Sequence, residues 1–155
     1  MPLFSVVEMA DDQFDSAFAL VRMLTPELSL EQWLAYVETL RRRGGLLGLA
    51  AVDGSLFGFL TWRKERQLHR GCVLCIDNFV TFELDAAAPG RRALCEAAEA
   101  LARRKGCAAI EYRQGSRGYV DSRSAKTKGW VSLGHELDSV VFIKPLVVHG
   151  AAMHG

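Results

Sequence analysis

Residues 72–112 read CVLCIDNFVTFELDAAAPGRRALCEAAEALARRKGCAAIEY. The first part, Cys72 to Phe82, is a mostly apolar run that reads as a strand. Pro89-Gly90-Arg91-Arg92 then opens a helix, with proline at a favoured first-turn position. Ala93, Leu94, Ala97, Ala98, Leu101 and Ala102 recur at helical spacing and give that helix one apolar face. Arg103, Arg104 and Lys105 place cations in its last turn, and Gly106 follows where a left-handed cap is favoured. Cys107 to Tyr112 is a second strand. A strand, helix, strand unit of this length places its two strands parallel, because the helix carries the chain back to the starting end.

Upstream, Leu46–Val52 and Leu56–Trp62 are apolar segments separated by Asp53-Gly54-Ser55, which is hairpin-turn chemistry. They read as antiparallel strands, with Arg63, Lys64, Glu65 and Arg66 extending the second toward solvent. Cys72–Phe82 makes the third strand of the meander. Before them, Leu3–Met9 reads as a strand, and Asp11 and Asp12 as the start of a helix over 12–24 with Phe14, Ala17, Phe18, Val21 and Leu24 on one face. Ser29 followed by Gln32 is a capping-box pattern that starts a second helix, and Leu28 and Trp33 are spaced as its hydrophobic staple. Arg41, Arg42 and Arg43 end it, with Gly44 in the position of a left-handed cap. Downstream, 114–128 is a polar stretch containing a short irregular helix, and Trp130–Leu137 with Ser139–Pro145 read as a closing strand pair. These elements make a single domain over 1–146 and a frayed tail over 147–155.

With 155 residues, 50% hydrophobic and 24% charged, the chain has the composition of one globular domain. Nineteen Lys and Arg against 18 Asp and Glu give a formal charge of +1, which argues for neither a nucleic-acid nor a membrane partner. Its apolar runs fall far short of the roughly 18 residues that span a bilayer, and the amino end lacks the pattern of a secretory signal, so a cytoplasmic location is expected. Cys72 and Cys75 form a C-x-x-C pair, but an odd spacing on a strand sends the two side chains to opposite faces. Neither Cys95 nor Cys107 completes a second knuckle, and His69, His135, His149 and His154 show no ligand spacing. No metal is expected, and the cysteines read as small buried hydrophobes.

The order of elements, together with Ile76-Asp77-Asn78-Phe79-Val80-Thr81 and the run from Arg92-Ala93-Leu94 to Ile110-Glu111, resembles the GNAT superfamily of acyl-CoA-dependent N-acetyltransferases. Gly129-Trp130 stands where that family has a Gly-Phe pair. The resemblance implies an α/β fold with a mixed, largely antiparallel sheet flanked by helices. It implies transfer of an acetyl group from acetyl-CoA to a primary amine, on a small molecule or a peptide, by direct attack. A homodimer is compatible with it.

On this resemblance, coenzyme A pairs with the backbone of Phe79, Val80 and Thr81, and its pyrophosphate lies over Gly90, Arg91 and Arg92. The family's loop pattern of Arg or Gln, Gly, and Gly or Ala is replaced by Ala86, Pro89 and Arg91. Pro89 has no N–H to offer, so either Arg91 or Arg92 supplies charge-assisted bonds instead, or Pro89 simply starts the helix and both arginines are solvated. Asp77 and Glu111 are the carboxylates implied near the reacting amine, with Glu83 at the strand end. The family's acidic tyrosine is replaced by Ala125, which leaves Tyr119 as the candidate replacement. Trp33 and Tyr36 border the implied acceptor cleft, although helical spacing equally suits Trp33 to the core. Arg117, Arg123, Lys126 and Lys128 against Asp121 form a basic stretch suited to phosphates or an acidic substrate, or simply to a solvated loop. The competing expectation is a non-catalytic module of the same fold whose altered loop no longer holds coenzyme A well.

Overall fold

The computed structural model of the chain describes residues 4–82, 89–113, 125–138 and 144–146. The chain divides into two compact units, Met1–Gly115 and Ser116–Gly155.

The first unit is built on five strands: β1 (Phe4–Glu8), β2 (Gly44–Ala51), β3 (Leu56–Gln67), β4 (Gly71–Thr81) and β5 (Ala109–Tyr112). They lie side by side in chain order. The first three pairings are antiparallel and β4 with β5 is parallel, as the strand, helix, strand reading requires. At the β2–β3 hairpin Gly54 takes φ +88°, and Asp53 Oδ1 accepts from both the N–H and the hydroxyl of Ser55.

Two apolar layers cover the sheet. The crossover helix, α3 (Pro89–Arg104), packs Leu94, Ala98, Leu101 and Ala102 on Leu47, Leu49, Leu60, Trp62, Leu74 and Ile76. On the opposite face, α1 (Phe18–Leu24) and α2 (Leu30–Arg43) with the segment before them bring Phe14, Ala17, Leu20, Trp33, Val37 and Leu40 onto Leu46 and Phe59. The expected capping box of α2 is present: Ser29 Oγ accepts from the Gln32 N–H at 3.1 Å, and Gln32 Oε1 accepts from the Ser29 N–H at 2.9 Å.

Two details of this unit differ from expectation. The first helix opens as a 3-10 segment, Asp11–Ala17, and becomes α-helical only at Phe18; the residue flanking its start is Ala10, whose N–H is held by Gln13 Oε1 at 3.0 Å. Gly44 is not a left-handed cap. Its φ of −160° and ψ of −143° are extended, and a Cβ there would lie 1.7 Å from the carbonyl oxygen of Trp62, so close approach of β2 to β3 excludes a side chain. Gly106, with φ +73°, is the left-handed cap that the sequence pattern of α3 called for.

In the second unit, α4 spans Ala125–Ser132, so the expected closing strand over Trp130–Leu137 is helical at its start, through Ser132. The turn Leu133–Gly134 ends it: the Leu133 and Gly134 N–H groups bond back to the carbonyls of Trp130 and Val131, and Gly134 takes φ +89°. His135 then turns back to stack its ring edge-on against Trp130, with centroids 5.1 Å apart. Residues 135–138 and 144–146 carry no strand, and 139–143, like the tail 147–155, lie outside the described residues.

Candidate active site

The pairing of β3 with β4 runs Gly58↔Thr81 to Thr61↔Asn78 and resumes at Trp62↔Ile76, leaving Asp77 as an extra residue. Such a bulge interrupts the two-residue alternation. Asp77 and Asn78 therefore both project toward the face of β3 that carries Thr61 and Arg63. Asn78 Nδ2 donates to Thr61 Oγ1 at 2.9 Å and to Tyr36 Oη at 2.8 Å, while Arg63 Nε donates to Asp77 Oδ2 at 2.7 Å. The same bulge marks where the parallel pair ends. The β4–β5 register closes at Ile76↔Tyr112, with the Arg113 N–H on the Ile76 carbonyl, whereas β4 continues to Thr81.

Beside Asn78 lies a cleft of about 350 Å³ between α1, α2 and the sheet. Val21, Leu28, Trp33, Phe59 and Val80 supply its apolar wall; Thr25, Gln32, Tyr36 and Asn78 supply its polar groups, and none of these nine side chains is ionised. Trp33 and Tyr36 thus both border the cleft, Trp33 being almost wholly buried with its Nε1 on the Phe14 carbonyl. Tyr36 shares a hydrogen bond with Thr61 Oγ1 at 3.1 Å, and burial raises its pKa above the usual phenol value, so it stays a neutral hydroxyl at physiological pH.

Next to this network runs a ladder of charges across three strands. Arg63 also pairs with Glu65, Arg113 reaches Glu65 at 3.5 Å and Asp77 at 3.9 Å, and Arg113 Nε donates to Glu111 Oε1 at 2.6 Å. Gln67 Nε2 completes it with a bond to Glu111 Oε2 at 2.7 Å. Hydrogen bonding from Arg63 lowers the pKa of Glu65. For Glu111 burial pulls upward, but the bonds from Arg113 and Gln67 outweigh it and leave the carboxyl below its usual range. Arg63 is raised despite its burial, because Asp77 and Glu65 hold its charge. Cys75 is buried, and that burial pushes its thiol up to about 11; Cys72 is half-buried.

The site residues named from sequence fall in three places. Asp77 and Glu111 share the ladder, joined through Arg113. Val80 lines the cleft, whereas Phe79 points to the α3 side, its ring 5.7 Å from that of Tyr112; Thr81 ends β4 opposite Gly58. Gly90, Arg91 and Arg92 occupy the first turn of α3, with Gly90 buried and Arg92 exposed. Tyr119, Glu83 and, of the basic stretch, Arg117, Asp121 and Arg123 lie outside the described residues, whereas Lys126 and Lys128 fall in α4. Thr61, Asn78 and Arg63 carry the geometry without having been singled out. Thr61, the buried polar residue of the described chain, stands in the otherwise apolar run Leu56–Trp62, which is itself a signal that it needs a partner. Among the described residues no cluster of three His, Cys, Asp or Glu is arranged to hold a metal ion, and no helix is long and apolar enough to cross a membrane.

A five-stranded, mostly antiparallel sheet flanked by helices, with its last strand joined in parallel through a crossover helix, is the GNAT acetyltransferase fold. Solved structures of that fold superpose on nearly the whole chain. An aminoglycoside N-acetyltransferase in complex with CoA matches with a TM-score of 0.74 at 16% identity, covering 92% of this chain and 94% of its own. A ribosomal-protein-alanine N-acetyltransferase from Brucella melitensis biovar Abortus 2308 matches with a TM-score of 0.71 at 14% identity, over 94% and 100% of the two chains. An acetyltransferase from Trypanosoma brucei matches with a TM-score of 0.69 at 17% identity, over 92% and 99%. No protein-family model matches the sequence, and no curated protein matches it.

Proposed function

We propose that this chain is an N-acetyltransferase that moves an acetyl group from acetyl-CoA to a primary amine by direct attack. The observation that carries the reading is the bulge at Asp77, which lies where the β4–β5 pairing ends and puts Asn78 on the cleft and Asp77 on the same face of the sheet, against Arg63. Coenzyme A suits the end of β4 and the start of α3: Phe79–Thr81 extend past the last β5 pair, Gly90 has no side chain to obstruct, and Arg91 and Arg92 bring cations to the helix start. Acetyl-CoA, when bound, supplies the thioester carbon at which the amine displaces the thiol.

The chain's own residues bind and orient the amine and remove its proton. The uncharged lining of the cleft selects an amine carried on an apolar or aromatic body over a polycation, since several desolvated ammonium groups would find no carboxylate in the lining. Asp77 is the proposed base. Its carboxylate is about a quarter exposed, adjoins Asn78 and is oriented by Arg63, so it accepts the proton through a water at the mouth of the cleft. Glu111, enclosed by Arg113 and Gln67, holds the ladder in register. The second reading, a non-catalytic module, draws on Pro89, which removes one N–H from the turn that would face a phosphate.

Asp77→Asn and Glu111→Gln distinguish these roles when thiol release is followed with a panel of primary amines. Asp77→Asn retains acetyl-CoA binding and loses roughly 100-fold in kcat, while Glu111→Gln loses less than roughly tenfold. The reverse order makes Glu111 the base, and no release with any amine by the unaltered chain favours the module.

A further inference from the structure

Cys72 and Cys107 lie 35 positions apart, yet their Sγ atoms stand 2.8 Å from each other. The backbone on both sides is held. Ala108 donates its N–H to the Cys72 carbonyl at 2.9 Å, and Cys107 donates its own to the Ala102 carbonyl at 2.9 Å, after the left-handed turn at Gly106. That turn places Cys107 before the regular strand begins, so its side chain escapes the alternation that would aim it away from Cys72. Each thiol is half-buried and within reach of a small oxidant, unlike Cys75 and Cys95, which are buried.

We propose that Cys72 and Cys107 are a disulfide-forming pair, oxidised by a low-molecular-weight disulfide, that covalently closes the β4–α3–β5 crossover. Bonding requires the sulfurs to close by only about 0.75 Å, from contact to the normal S–S length near 2.05 Å. One thiolate attacks the small disulfide and releases one small thiol; the other thiolate attacks the resulting mixed disulfide and releases the second. The two cysteines lose two protons and two electrons in all, and the small disulfide is reduced to two thiols. Lys64 and Lys105 are near enough to Cys107 to favour its thiolate, although burial and Cys72 hold that thiol up at about 11. Those cations also suit a carboxylate-bearing disulfide such as oxidised glutathione. The closed loop contains all of α3 and most of β4, so the bond restrains the unfolded chain across the crossover. It sits at the end of the strand pair remote from Ile76↔Tyr112, and its formation does not depend on the acetyltransferase reading.

The full chain, reduced and then incubated with oxidised glutathione, tests this by thiol titration after denaturation, intact mass and peptide mapping. Of the four cysteines, two remain titratable, the mass falls by two hydrogens, and the peptides bearing Cys72 and Cys107 are joined. The melting temperature rises by roughly 5–10 °C and returns on reduction. Cys72→Ser and Cys107→Ser each abolish the link and leave one glutathione adduct, whereas Cys75→Ser and Cys95→Ser form it as before. Four surviving thiols, a lasting adduct without a link in the unaltered chain, or a link through Cys75 or Cys95 overturns the proposal, and a linked chain with an unchanged melting temperature overturns the closure of the crossover.

Discussion

Replacing Thr61 with valine removes one oxygen from the centre of the cleft network and leaves a side chain of nearly the same shape. Thr61 is 0% exposed and its Oγ1 accepts from Asn78 and shares a hydrogen bond with Tyr36. Two hydrogen bonds at roughly 0.5–1.5 kcal/mol each set an upper range of about 1–3 kcal/mol. The Asn78–Tyr36 bond at 2.8 Å survives the change, and both of those side chains border the cleft where water reaches them, so the cost falls at about 1–2 kcal/mol. With a urea m-value of roughly 2 kcal/mol/M, the unfolding midpoint falls by about 0.5–1 M. The kinetic signature is separate: the amine KM rises, because Tyr36 and Asn78 lose their common anchor, while acetyl-CoA affinity stays the same. A double-mutant cycle with Tyr36→Phe gives a combined loss smaller than the sum. An unchanged midpoint together with an unchanged amine KM refutes the network as a positioning device.

Replacing both Arg91 and Arg92 with alanine weakens coenzyme A binding at least roughly tenfold by calorimetry if these cations replace the altered loop, and an unchanged dissociation constant leaves them as surface charges. Tyr119→Phe lowers turnover by less than roughly tenfold; a loss of roughly 100-fold with coenzyme affinity intact makes Tyr119 the acid that protonates the departing thiolate. Acid sensitivity follows from the ladder. Glu65 and Glu111 have folded pKa values below their ordinary ones, so their stabilisation is complete above the unfolded value of about 4.3 and is lost as pH falls through the folded values. Urea midpoints measured downward from pH 6 therefore drop in that window, and Glu111→Gln flattens the drop; an equally steep curve for the variant contradicts this.

From Gly44 to Tyr112 the order and type of elements were legible, because each boundary carries its own chemistry: the Asp53-Gly54-Ser55 turn, the cations and Gly106 after α3, and the apolar stripe between them. What escaped depends on tertiary contact. Gly44 looked like a helix cap, but its glycine is required by the Trp62 carbonyl of another strand. The bulge leaves only a faint trace, two adjacent polar residues between Ile76 and Phe79, and that trace becomes readable once the register with Thr61 is known. Arg63 and Glu65 read as a strand end reaching for solvent, yet pairing with Asp77 and Arg113 leaves their side chains only 26% and 30% exposed. The contact between Cys72 and Cys107 exists only because the crossover brings the two strand starts together. In the second unit, Trp130 and Val131 have the apolar character of a strand, and it is the stop at Gly134 that reveals the helix.

Direct calorimetric titration of acetyl-CoA into the purified chain bears most closely on the central claim. Saturable binding of one acetyl-CoA per chain is expected, competed by free coenzyme A and weakened by the Arg91 and Arg92 double substitution. The absence of any measurable heat or competition at millimolar acetyl-CoA contradicts it.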